Sequence, residues 1–243
     1  MSSHTRTVFD ADLSGLRSEV LEMGALVRQS VNAASKALTD WDLDLAKGQI
    51  VLDPAIDSMQ RKIENRAVET IARRQPVAVD LRELVSALHI ACDLERIGDL
   101  AKSICKRVSM IDSAPPATLL EGIRRVSSQV IHQLQLALDS YDSRDAAAAF
   151  GVWSRDKDID AAHASLLREL LTHMMEDPRN IAFCAHLLFC SKNLERMGDR
   201  TTNIAESVHY MVTGHRLKGD RPKADDLSFL RPPTSEWRAL NSV

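Results

Sequence analysis

The sequence predicts an all-α protein built from two tandem, repeat-related three-helix bundles. Three observations carry this. Apolar residues recur at steps of three and four over long stretches, the pattern of helices with one buried face. In 243 residues there are only 9 Gly and 8 Pro, too few for turn-rich β architecture, and aromatics make up 4%. Finally, Leu94-Glu95-Arg96-Ile97-Gly98-Asp99 returns 100 residues later as Leu194-Glu195-Arg196-Met197-Gly198-Asp199, with five of six positions identical.

Each element follows from its own pattern. The first helix is predicted from about Phe9 to Trp41, with Leu13, Leu16, Val20, Met23, Val27, Val31, Ala34 and Leu38 on one face. The second carries Leu52, Ile56, Met59, Ile63, Ala67 and Ile71 and ends near Pro76, which cannot continue a helix. The third starts just after Pro76 and runs to about Met110. Asp112-Ser113-Ala114-Pro115-Pro116 then separates the halves, giving a first bundle at 1–112 and a hinge at 113–118. In the second bundle, 119–214, a fourth helix is striped by Leu119, Ile123, Val126, Val130, Leu134, Ala137 and Tyr141. A fifth is expected unbroken from Asp145 to Met175. Asp177-Pro178 turns the chain, and a sixth runs to about Val212, stopped by Thr213-Gly214. From 215 to 243 the sequence is polar and broken by prolines, and reads as a mobile tail docking through Phe229, Leu230 and Trp237.

Charge and cysteine usage narrow the class. A net charge of −3 and a pI of about 6.2 leave no electrostatic footprint for nucleic acid. Arg61-Lys62 and Arg73-Arg74 read as solvated faces. Cys92, Cys105, Cys184 and Cys190 form no CxxC motif and sit among apolar residues, so all four read as buried small hydrophobes in a reducing compartment. Met1 to Asp12 has no apolar signal core, and Ile181 to Cys190 is about half a membrane span. The expected location is the cytoplasm, with membrane contact only through a partner.

Four acidic pairs share one spacing: Asp53/Asp57, Glu95/Asp99, Asp156/Asp160 and Glu195/Asp199. Residues four apart share a helix face, where like charges repel by a few tenths of a kcal/mol. Repetition of that arrangement in both halves asks for a compensating gain. Asp57 lies 19 residues before Pro76 and Glu95 19 residues after it, so an antiparallel hairpin puts them at one level. Asp160 and Glu195 flank Asp177-Pro178 in the same way. Leu94, Ile97, Ala101, Ile104 and Val108 form the apolar stripe of the third helix, so Glu95 and Asp99 are expected to line a surface groove on its other side.

Clustered carboxylates without imidazole or thiolate suit hard cations; magnesium, manganese and iron are the candidates, with zinc as a further divalent possibility. In the second copy Asn203 and Glu206 join the acidic face, whereas the first has Ser103 and Lys106 there, so the second site is expected to bind metal more tightly. Such grooves would repel phosphate, and no direct phosphate binding is expected. A ferritin-like di-iron centre needs Glu-x-x-His, but Glu95 and Glu195 are each followed three residues later by glycine. No phosphate loop or nucleophile elbow is present, and His89, His163, His173 and His186 read as packed or surface residues. A non-catalytic role is favoured over a metal-dependent enzyme acting on a phosphate-containing substrate, or a metal store.

Asp93-Leu94-Glu95-Arg96-Ile97-Gly98-Asp99, and Asn193 through Asp199 continuing to Asn203-Ile204-Ala205-Glu206, resemble the paired signatures of the PhoU family. Arg73-Arg74-Gln75-Pro76 and Asp177-Pro178-Arg179-Asn180 fit the same pattern, and the resemblance spans about Phe9 to Gly214. It implies two similar three-helix bundles in a cytoplasmic regulator of phosphate signalling, not an enzyme. Such a protein links the phosphate ABC transporter, through its ATPase PstB, to the sensor histidine kinase PhoR. With phosphate plentiful it keeps the kinase from activating PhoB, so phosphate-starvation genes stay off. A homodimer is expected. The resemblance also implies metal clusters held by Glu/Asp-x-x-x-Asp motifs, here Glu95/Asp99 and Glu195/Asp199, with Asp53, Asp57, Asp156 and Asp160 as their partners.

Overall fold

The computed structural model describes residues 3–111 and 115–217. Seven α-helices follow in order among them: α1 (Ser3–Thr39), α2 (Leu43–Arg74), α3 (Val79–Val108), α4 (Ala117–Ser143), α5 (Ala146–Ser154), α6 (Asp156–Glu176) and α7 (Ile181–Thr213). A single 3₁₀ turn, Pro178–Asn180, joins α6 to α7. Asp112, Ser113 and Ala114 of the expected hinge, and the whole expected tail contact through Phe229, Leu230 and Trp237, lie outside the described residues.

Local chemistry sets the helix ends. Asp42 accepts the Leu45 N–H to start α2, and Asp145 accepts those of Ala147 and Ala148 to start α5, satisfying donors that the first turn leaves open. Gln75 and Arg144 end α2 and α4 in the left-handed conformation. Gly214 does the same for α7 at φ 76°, without a Cβ to oppose it.

α1, α2 and α3 form the first bundle; α4 to α7 form the second. Asp53 meets Lys102 and Ile56 meets Gly98, so α2 and α3 run antiparallel, as the hairpin count requires. α6 and α7 repeat this through Asp156 with Thr202 and Ile159 with Gly198. α3 also lies antiparallel against α7 of the other half, through Asp93 with Arg200 and Arg107 over the Phe189 ring at 4.2 Å. α1 packs antiparallel on α4, through Gly24 with Leu138 and Thr39 with Arg124. One hydrophobic core therefore spans both halves, and the predicted stripes of the first and fourth helices are buried throughout. Each such Leu, Ile or Val contributes about 1.5–3 kcal/mol by leaving water.

Three expectations need correction. The fifth predicted helix is two: the path breaks at Arg155, whose carbonyl accepts a hydrogen bond from Gln133 Nε2 at 2.9 Å. Leu52 is 45% exposed rather than part of the buried stripe, because Asp53 and Ile56 take the inward face of α2 at that level. Cys92 is exposed while the other three thiols are buried. It stands on the α3 face that borders a cavity instead of the core.

Candidate functional site

The repeat motif works first as a packing device. A Cβ on Gly98 would stand 2.9 Å from Ile56 Cδ1, and one on Gly198 would stand 2.9 Å from Ile159 Cδ1. Only glycine lets α2 approach α3, and α6 approach α7, so closely. Ile56 lies between Asp53 and Asp57, and Ile159 between Asp156 and Asp160, so the same approach carries the aspartates toward the motif carboxylates.

In the first half Asp57 and Asp99 lie near enough to Glu95 to act on its charge. Burial pushes the Glu95 carboxyl above its ordinary range, and the charges of Asp99 and Asp57 push it the same way while Arg96 opposes them. Lys102 sits among these groups: its ammonium bonds the buried Asp53 and lies 3.6 Å from Asp99 Oδ1. Burial of Asp53 leaves that ammonium as the compensating charge. In the second half, Thr202 occupies the position of Lys102 and donates to Asp156 Oδ1 at 2.8 Å. Lys192 reaches Glu195 at 2.7 Å.

The acids do not line an open groove as expected. Asp53, Asp156, Asp160 and Glu195 are 6%, 1%, 4% and 3% exposed. Asp57 and Glu95 are partly buried, and Asp99 and Asp199 are intermediate. The physical reason is that the acidic faces of α2 and α6 are packed against α3 and α7, where Asp53 meets Lys102 and Asp156 meets Thr202. Asp156 gains from its position at the first residue of α6, where the helix dipole favours a carboxylate.

Asn203 and Glu206 have contacts away from the acidic pairs. Asn203 Nδ2 reaches Asp93 Oδ1 at 3.4 Å, and Glu206 Oε1 accepts the Trp153 indole N–H at 3.0 Å. Both line a cavity of about 650 Å³ along the α3–α7 seam, with His89, Cys92, Asp93 and Arg200. Burial raises the Asp93 carboxyl, against the hydrogen bonds of Asn203 and Arg200. Sequence reasoning passed over Asp93, Arg200 and Lys102. Each is a charged residue that its repeat counterpart lacks: Asn193, Leu100 and Thr202 stand at the matching positions.

Comparison with known proteins joins this geometry to a family. A PhoU domain model matches residues 20–108 and again 123–208, one match in each half. The chain belongs to the PhoU family. A phosphate-specific transport system accessory protein PhoU homolog of Rhizobium meliloti is 47% identical over 229 residues, covering 94% of this chain and 97% of that one. One from Caulobacter vibrioides is 44% identical over 229 residues, covering 94% of this chain and all of the other. The PhoU crystal structure from Pseudomonas aeruginosa superposes with a TM-score of 0.81 at 40% identity, over 85% of this chain and all of that one. The phosphate transport system regulatory protein PhoU of Streptococcus pneumoniae gives 0.80 at 28% identity, over 86% and 99%. The two three-helix repeats of the PhoU fold are thus shown.

The PhoU motif carboxylates are oxygen donors of the kind a hard cation takes, and burial first, with the charges of Asp99 and Asp57 after it, raises the Glu95 carboxyl. In arrangement, no three carboxylate, histidine or cysteine groups among the described residues already converge as ligands. Between Asp53 and Asp99 the cation present is the ammonium of Lys102. His163, buried, has Nδ1 2.7 Å from Ser191 Oγ. Among the described residues, no helix is long and apolar enough to cross a membrane.

Proposed function

We propose that this chain is a non-catalytic accessory protein of a phosphate transport system. It acts in the cytoplasm as an adaptor between the transporter ATPase PstB and the sensor kinase PhoR, and keeps phosphate-starvation genes off when phosphate is plentiful. The observation that carries this reading is the PhoU match in both repeats, together with relatives of nearly equal length named accessory proteins of phosphate-specific transport. The fold supplies long helical faces suited to protein contact, and a homodimer is part of the proposal.

The test is capture of purified PstB and of the PhoR cytoplasmic region by the immobilised chain, paired with a phosphate-starvation reporter in a strain lacking the gene. Specific binding to both, with the reporter on in high phosphate and restored by the wild-type gene, is expected. A reporter that stays off in the deletion strain overturns the regulatory role. Light scattering reads the dimer.

We further propose that metal binding belongs to the second half. Glu195, Asp199, Asp156 and Asp160 would hold a hard divalent ion, with Asn203 and Glu206 nearby, and the ion would neutralise their clustered charge and fix α6 against α7. Thr202 in place of a lysine supports the choice of half. In the first half Lys102 lies on both Asp53 and Asp99, whereas in the second Lys192 reaches Glu195 from the same helix. Elemental analysis of protein purified without chelator tests this: metal that disappears in Glu195→Gln/Asp199→Asn supports it, and metal retained there overturns it.

A further inference from the structure

A second cavity, of about 280 Å³, lies on the α3–α7 seam, beyond Arg200 from the larger one. Its walls bring together Arg96, Lys102 and Lys106 from α3 with Arg196 and Arg200 from α7. Five cations face one recess in a chain whose net charge is −3, so composition alone does not account for them. Among the described residues the one carboxylate in the lining is Asp99, and it lies 3.7 Å from Arg96 and 3.6 Å from Lys102. Ser103 adds a hydroxyl. Arg200 is held from behind by Asp93 at 3.3 Å and keeps 39% of its side chain open. Arg96 is 57% open, and Lys106 and Arg196 are exposed.

The recess arises from the divergence of the two repeats. Lys102, Ser103 and Lys106 stand where the second copy has Thr202, Asn203 and Glu206. Those substitutions remove carboxylate and amide donors from one end of the seam and leave cations there. The other end keeps Asn203 and Glu206 in the larger cavity. One face of the seam is thereby basic, with the guanidinium groups of both copies of the motif, Arg96 and Arg196, on it.

We propose that this recess binds a phosphoryl anion. Guanidinium groups present paired N–H donors that match phosphate oxygens, and lysines add point charge. Lys102 is paired with Asp53 and Asp99, Arg96 with Glu95 and Asp99, and Arg200 with Asp93, so the charge the recess offers a ligand comes mainly from Lys106 and Arg196, and a phosphoryl group brings about two negative charges to match it. The volume lies just below the usual range for drug-sized ligands, roughly 300–1,000 Å³, so it fits a small anion or the terminal phosphoryl of a larger molecule. Because its walls come from both halves, occupancy ties α3 to α7. The acidic pairs, which face α2 and α6, do not line it apart from Asp99.

The test is isothermal titration calorimetry of the full chain at low ionic strength with EDTA present, using inorganic phosphate in one arm and adenosine triphosphate in the other. EDTA removes metal-bridged binding, and low salt minimises screening. The paired variant is Lys106→Glu/Arg196→Glu, at two exposed positions, with its fold checked by circular dichroism and thermal melting. Saturable one-to-one binding by the wild type, weakened at least about tenfold in the variant and falling as salt is raised, is expected. Phosphate binding without nucleotide binding assigns the site to the free anion. Nucleotide binding displaced by phosphate assigns it to a phosphoryl group on a larger molecule. Absence of saturable binding in both arms, or equal binding by a folded variant, overturns the proposal. Neither result bears on the adaptor role, which is read by partner capture.

Discussion

Lys102 places its ammonium against the buried carboxylate of Asp53, at the repeat position where Thr202 donates a hydroxyl to Asp156. Two copies of one helical unit thus satisfy the same aspartate in two ways, one with a full charge and one with a neutral donor. Hydrogen bonding to Asp53 raises the Lys102 pKa above its ordinary 10.5. Its contribution is therefore complete at neutral pH and is lost only as pH rises through the raised value. Replacing Lys102 by Met leaves Asp53 with no counter-charge and is expected to cost about 2–3 kcal/mol in urea unfolding, below the full figure for a dry pair because Lys102 is 27% exposed. Lys102→Thr imitates the second half and should lose less, since a hydroxyl still reaches the carboxylate. Equal losses for the two variants would show that bulk, not hydrogen bonding, matters at this position.

Gly198 marks the closest approach of α6 to α7. Gly198→Ala drives its methyl toward Ile159 Cδ1, 2.9 Å away, and Ile159 is 1% exposed with little room to turn. The expected loss is about 1–3 kcal/mol, the usual range for overpacking. Ile159→Val removes that Cδ1 atom and should recover part of the loss in the double variant. Additive losses in that cycle would place the strain elsewhere.

Glu83 joins the two halves. Its side chain, 5% exposed, accepts from Arg17 at 3.0 Å and from Arg144 Nη2 at 2.5 and 2.6 Å. Arg144 caps α4 in the left-handed conformation, so the ion pair fixes the end of a second-bundle helix against α3. Glu83→Gln should destabilise by about 2–3 kcal/mol, because two guanidinium groups lose their anion. Arg144→Gly relieves the backbone while removing the pair, and should cost less than Arg144→Ala. Chemical unfolding of the three variants reads both expectations.

The repeat, the helical stripes and the level match across each hairpin were legible because periodicity and counting are local properties of the chain. Asp57 lies near enough to raise the Glu95 carboxyl, in keeping with the count from Pro76. The break at Arg155 was not legible: it has no proline or glycine at that position, and a side chain from another helix, Gln133, serves it. The burial of Asp53, Asp156, Asp160 and Glu195 was missed for a related reason. A stripe identifies one buried face, but α2 and α6 lay a second face on α3 and α7, and only assembly decides what covers it. Lys102 lies one turn from the motif, and nothing in the spacing shows that it is the lysine that reaches across to α2.

The cysteines separate by reactivity. Burial lifts the Cys105 thiol to about 11 and that of Cys190 to about 12, and raises Cys184. Burial also raises Cys92, with Asp93 adding to it, but its side chain is exposed beside a cavity. The thiolate is the reacting species and must be reached, so access favours Cys92 over the three buried thiols. At pH 8 an aromatic disulfide reagent should release one equivalent quickly from the native chain and four after denaturation, with Cys92→Ser abolishing the fast phase. The same shifts set an alkaline limit. An unfolded thiol ionises near 9.0, but Cys105 and Cys190 stay protonated in the fold to about 11 and 12. The unfolded chain then holds fewer protons, so stability is complete below pH 9 and falls above it, by up to about 1.4 kcal/mol per pH unit for each thiol. Cys190→Ala should flatten that decline measured between pH 9 and 11, and a decline of unchanged slope would assign it to other groups.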